Sequence, residues 1–146
     1  IKTITDLERI GDEAEKIARM AKLIHEHDRR HLPRYTEIKH VAEVALEMLR
    51  KALDAFARLD MGAAAQVVRQ DELVDEEFRA TLRQLITFMM EDPRTISGSL
   101  EVLFVAKAIE RIGDHAKNMS EYVVYMVKGK DVRHVTAEEI EREISK

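Results

Sequence analysis

The pentapeptide Glu8-Arg9-Ile10-Gly11-Asp12 returns unchanged as Glu110-Arg111-Ile112-Gly113-Asp114, 102 positions later. Each copy follows an apolar residue, Leu7 or Ile109, and is followed two positions later by Ala14 or Ala116. A five-residue identity inside matching helical patterns marks two related units. Both copies place a Glu and an Asp at i and i+4, on one side of a helix. Carboxylates so placed repel by roughly 0.2–0.5 kcal/mol on an exposed helix. Such repulsion calls for a positive partner, and a hard cation is the first candidate.

Working outward, apolar steps of 3 and 4 define four long helices. The first, over residues 1–26, carries Leu7, Ile10, Ala14, Ile17, Ala21 and Ile24. The second, over 36–59, carries Ile38, Val41, Ala45, Met48, Ala52, Phe56 and Leu59. Asp60-Met61-Gly62 forms a turn. The third, over 63–91, carries Val67, Asp71, Val74, Phe78, Leu82, Leu85 and Met89, and Asp92-Pro93 ends it because proline disfavours helix in the residue before it. The fourth runs over 95–128 and stops at Gly129, a usual helix C-terminal residue. Thr136 and Glu139 make a capping-box pattern for a short tail helix over 137–144.

Short connections between long helices make neighbours antiparallel. The expected fold is therefore all-α: an antiparallel three-helix bundle plus one helix of a preceding, truncated three-helix repeat. Residues 1–30 form the last helix of the first repeat, 36–130 the second bundle, and 131–146 a tail. The chain lacks an initiating Met and opens in mid-pattern at Ile1-Lys2-Thr3-Ile4, which reads as part of something longer. The first helix must dock on the bundle, pair with another chain, or stay poorly ordered.

Composition narrows the function. The chain is 45% hydrophobic and 36% charged, with 5 Gly and 2 Pro in 146 residues, as long amphipathic helices require. Its net charge of −4 argues against a nucleic-acid partner. With no Cys there are no thiolate sites, which fits a cytoplasmic protein. No apolar run approaches a membrane span. There is also no Ser/His/Asp order and no Gly-rich phosphate loop, so no enzyme is expected.

Asp71 is the sharpest anomaly, a carboxylate at a seam position between Val67 and Val74. An unpaired buried carboxylate costs several kcal/mol or stays protonated. Asp75 lies one turn on. Counted from the turn near residues 92–95, Asp75 and Glu110 reach similar heights on antiparallel helices at about 1.5 Å per residue. Asp71, Asp75, Glu110 and Asp114 thus make an oxygen-rich level suited to Mg²⁺, Ca²⁺, Mn²⁺ or iron. Glu8 and Asp12 hold the matching places on the first helix. The alternative is ordinary ion pairing with Arg9, Arg111, Lys107 or Lys117.

Other candidates weigh less. His25, His27 and His31 sit where the first helix frays among charges. Glu37-Ile38-Lys39-His40 has the Glu-x-x-His spacing of di-iron bundles, but that motif must occur twice. His115 is matched in the other copy by Glu13, so no shared role follows. The Met residues are spaced as core filler. Gly11 and Gly113, costly in mid-helix, permit close approach of a helix or a ligand.

These residues resemble a known family. Leu7-Glu8-Arg9-Ile10-Gly11-Asp12 and Ile109-Glu110-Arg111-Ile112-Gly113-Asp114 are similar to the repeated acidic motif of the PhoU family. The stretches Leu53-Asp54-Ala55-Phe56-Ala57-Arg58-Leu59-Asp60, Arg83 through Asp92 and Tyr125 through Val135 resemble its proteobacterial members. The resemblance implies two tandem three-helix bundles and metal clusters on the acidic motifs, carried here to Glu8, Asp12, Asp71, Asp75, Glu110 and Asp114. It further implies a divalent or trivalent metal (Mg, Mn or Fe), a homodimer, and a cytoplasmic negative regulator of phosphate uptake and phosphate-starvation signalling. Its partners would be a sensor histidine kinase and the phosphate importer's ATPase. The rivals are a carboxylate-bridged metal enzyme and a purely structural helical module.

Overall fold

The computed structural model describes residues 2–33 and 36–129, together with Glu138 and Arg142. Its four long helices are α1 (Lys2–His25), α2 (Thr36–Arg58), α3 (Met61–Glu91) and α4 (Ile96–Lys128). Among the described residues there is no strand. Ile1 and the rest of the tail, including the expected helix over 137–144, lie outside the described residues; Glu138 and Arg142 are helical and exposed.

Capping chemistry sets the corners. The α2–α3 connection is shorter than the expected Asp60-Met61-Gly62 turn, because α3 already begins at Met61. Leu59 takes the left-handed conformation at φ 54°, and the Asp60 N–H reaches back to the Ala55 carbonyl at 3.0 Å, closing a Schellman-type cap. The Asp60 side chain then accepts from the Ala63 N–H at 3.1 Å, capping α3. At the α3–α4 corner, Asp92 accepts from the Arg94 N–H, and the buried Thr95 hydroxyl donates to the Asp92 carbonyl at 2.6 Å. Pro93–Thr95 forms a single 3₁₀ turn there. Gly129 ends α4 at φ 71° with its N–H on the Tyr125 carbonyl.

α4 is the central element and packs against all three others. Asp71 lies near Lys117 while Phe78 lies under Lys107, so α3 and α4 are antiparallel. Asp6 meets His115 and Glu13 meets Arg111, so α1 and α4 are antiparallel too. The main core joins Val41, Met48, Ala52, Val67, Val74, Val102, Ile109 and Met119, with Ile10 from α1. A second cluster of small residues, Ala55, Ala64, Ala65, Val68, Val123 and Val124, closes the end nearest the α2–α3 corner.

α1 docks on the bundle, but not along its whole expected stripe. Thr3, Ile10 and Glu13 are buried, and Ile17 and Ile24 pack against the main core. Leu7, Ala14 and Ala21 stay exposed, as do Ile4, Gly11 and Ala18. The apolar residues of α1 therefore divide between two faces, and only one of them meets α4. Phe56 and Leu59, expected in the core, are 36% and 51% exposed because α2 ends beside them.

Leu59 holds a backbone conformation that a side chain with a Cβ resists. Leu59→Gly is expected to raise stability by about 0.5–1 kcal/mol, since little buried apolar area is lost. Urea unfolding followed by circular dichroism measures it, and an unchanged or lowered midpoint would contradict the strain.

Candidate metal site

Asp71 sits where Val67, Val74 and Phe78 place the buried face of α3. Its neighbours Val67 and Val74 are fully buried, and Asp71 itself is only 2% exposed. Opposite stands Gly113 of α4: a Cβ built there would lie 3.5 Å from Asp71 Oδ1 and 3.8 Å from Met48 Cε and Val74 Cγ1. The missing side chain leaves a methyl-sized space beside that oxygen. Gly11, its repeat counterpart, has nothing within 4 Å of such a position.

Around that space three acids converge. Asp71, Asp75 and Asp114 each offer one carboxylate oxygen, all within 4.8 Å of one another. One hard ion with bonds of about 2.0–2.6 Å spans oxygens up to roughly 4–5 Å apart, so the spacing fits a single Mg²⁺, Mn²⁺ or comparable ion. Asp71 Oδ1 is buried without a hydrogen-bond partner. Its other oxygen has only the Lys117 ammonium at 3.8 Å.

Electrostatics report the crowding. Burial, then the charges of Asp75 and Asp114, push the Asp71 carboxyl up to about 7. Burial and then Glu110 raise Asp75; burial, Asp75 and Glu110 raise Asp114. A bound cation reverses this cost, because it favours the charged form of every acid it touches.

Of the six acids singled out in the sequence, these three come together. Glu110 stands at the rim, its Oε1 held by Lys107 Nζ at 2.6 Å. Glu8 and Asp12 belong to the motif of the other repeat: both are exposed on α1, with Arg9 3.9 Å from Asp12. Among the described residues no third carboxylate or imidazole completes a metal-sized group with them. Ion pairing thus accounts for Glu110 and Asp12 and leaves the Asp71 group undercompensated.

Three histidines serve the helix interfaces. His115 turns from the site, its Nδ1 lying 2.9 Å from Asp6 Oδ1 on α1. His27 Nε2 meets Glu101 of α4 at 2.7 Å, and His40 meets Glu77 of α3 at 3.3 Å. Sequence reasoning passed over Asp6 and the buried Glu13, which faces Lys16 at 3.4 Å and Arg111 at 3.6 Å. The mismatch between Glu13 and its counterpart His115 was the available signal.

Residues 38–123 match the model of the PhoU domain. The chain is 48% identical over 144 residues to a Pseudomonas putida protein named phosphate-specific transport system accessory protein PhoU homolog, covering 98% of this chain and 56% of that one. It is 45% identical to the Escherichia coli (strain K12) phosphate-specific transport system accessory protein PhoU, over 97% and 58%. The crystal structure of PhoU from Pseudomonas aeruginosa superposes with a TM-score of 0.83 at 47% identity, over 88% of this chain and 61% of that one. The phosphate transport system regulatory protein PhoU from Streptococcus pneumoniae gives 0.79 at 27% identity, over 89% and 60%. The chain spans somewhat more than half the length of these relatives.

The raised Asp71 carboxyl has a pH consequence. A folded acid at about 7, against roughly 3.9 when unfolded, binds more protons folded than unfolded between those values. The contribution of Asp71 to metal-free stability therefore falls as pH rises from about 4 to 7. Asp71→Asn should flatten that slope and leave the metal-free variant more stable than the parent at pH 8. Thermal melts across the pH series in chelator check this; parallel slopes for both proteins would refute it.

Proposed function

This chain belongs to the PhoU family, and on that premise we propose that it is a metal-binding negative regulator of phosphate uptake and phosphate-starvation signalling. The observation that carries the metal is Asp71: a carboxylate 2% exposed, with an unpartnered oxygen, facing two more acids within 4.8 Å. Asp71, Asp75 and Asp114 supply the oxygens, with Glu110 able to swing in from Lys107. A divalent or trivalent ion, Mg, Mn or Fe, suits this all-oxygen set. It offsets the repulsion among the acids and ties α3 to α4 at mid-height.

Its relatives are named accessory and regulatory proteins of phosphate transport, which supports a role in control without catalysis. We read it as a cytoplasmic adaptor between the importer's ATPase and a sensor histidine kinase. No helix among the described residues is long and apolar enough to cross a membrane. Long helical faces are common docking surfaces for such partners. We further read the exposed Ile4 and Leu7 of α1 as a face that packs on another helix, of the preceding repeat or of a second copy.

Equilibrium dialysis against Mn²⁺, Mg²⁺ and iron, followed by elemental analysis, tests the metal. Near-stoichiometric retention and a melting point raised by several degrees are expected, because binding to the folded state adds to its stability. Asp71→Asn and Asp114→Asn should abolish both, and Glu8→Gln neither. No retained metal in the parent chain would end the metal-binding proposal. Co-purification with the importer's ATPase and the kinase's cytoplasmic region tests the adaptor role, and recovery of neither partner would count against it. For self-association, sedimentation should show dimers that Leu7→Glu dissociates; a monomer at all concentrations would contradict pairing with a second copy.

A further inference from the structure

Two ammonium groups flank the carboxylate site. Lys107 Nζ lies 2.6 Å from Glu110 Oε1 and 5.3 Å over the Phe78 ring centroid, with its side chain 44% exposed. Lys117 Nζ lies 3.8 Å from Asp71 Oδ2, its side chain 30% exposed. Both act electrostatically on Asp75 and Asp114, and Arg79 of α3 acts on Asp75 as well. Positive charge therefore approaches the acids from two turns of α4 and from α3.

The charges have an order of events built into them. Fully ionised, Asp71, Asp75, Glu110 and Asp114 outweigh Lys107 and Lys117, so the cation-free site repels any anion. A divalent ion brings the same six groups to balance, and a trivalent ion tips them positive. Three carboxylates leave a six-coordinate ion with positions to spare, which small oxygen ligands fill. Asp71 is buried beneath the site while Asp75, Asp114 and both lysines are partly exposed. Any spare positions would open past the partly exposed Asp75 and Asp114, the two acids on which both lysines act.

We propose that the cation-loaded site binds a free tetrahedral oxyanion, inorganic phosphate, between the ion and the ammonium groups of Lys107 and Lys117. The inference rests on the metal-binding reading above. Its second support is independent of the acid cluster's charge: the unpartnered, buried Asp71 Oδ1 beside the space left by Gly113, which seats the ion on the inner side and keeps its outer side free. Lysine ammonium groups are compact point charges suited to phosphate oxygens. Phosphate then binds only after the cation, so cation occupancy and phosphate concentration are read together.

Mn²⁺ binding to the full chain, measured by calorimetry with and without millimolar inorganic phosphate, tests this. Phosphate should tighten Mn²⁺ binding by about tenfold, within the ordinary range for coupled ligands, and radiolabelled phosphate should be retained only when Mn²⁺ is present. In the Lys107→Met/Lys117→Met double variant the ratio of the two Mn²⁺ affinities should drop to near one. That ratio is insensitive to any general loss of stability. Mn²⁺ binding with no phosphate effect would overturn the oxyanion site while leaving the metal site standing, and an equal effect of sulfate would overturn its assignment to phosphate. Absence of Mn²⁺ binding under both conditions would overturn both.

Discussion

A carboxylate buried in the seam between α3 and α4 constrains everything around it. Desolvating Asp71 and setting Asp75 and Asp114 beside it costs free energy that the surrounding packing must offset. Fully buried valines above and below Asp71 hold it inward, and Gly113 supplies room on the facing helix. The seam is thus strained by charge at the level of Asp71 and Gly113. An ion at that level converts mutual repulsion into a cross-link, and occupancy becomes a property felt by the whole bundle.

The second organising contact is the pairing of α1 with α4. These helices carry the duplicated motif and run antiparallel. Asp6 with His115 and Glu13 with Arg111 bridge the seam between them, and His27 on the turn after α1 reaches Glu101 near the other end. These polar pairs stand beside Ile10, Ile17 and Ile24 of α1, and Asp6, Glu13 and His115 differ from their counterparts in the other copy of the motif. The motif acids face away from this seam: on α4 toward α3, and on α1 toward solvent.

The all-α architecture, the helix lengths and the convergence of Asp71, Asp75 and Asp114 were legible in the sequence. Helical periodicity is a local property, and the height match across the α3–α4 corner follows from rise per residue and a short turn. Less legible were Leu59 and Phe56, whose spacing marks them as core but which emerge where α2 stops. Glu110 was assigned to the site by its spacing, yet Lys107, one turn earlier, holds it at the rim. Glu8 and Asp12 share their motif with Glu110 and Asp114 but not their surroundings.

That difference locates the boundary between what chain order determines and what folding decides. The sequence alone determined which residues share a helical face, because backbone geometry repeats identically in both copies. Which face becomes interior depends on the helices that arrive to cover it, and those contacts are long-range. Identical pentapeptides therefore place one acid pair beside the α3 carboxylates, while among the described residues no helix covers the other. Only the tertiary structure supplied the neighbours that distinguish them.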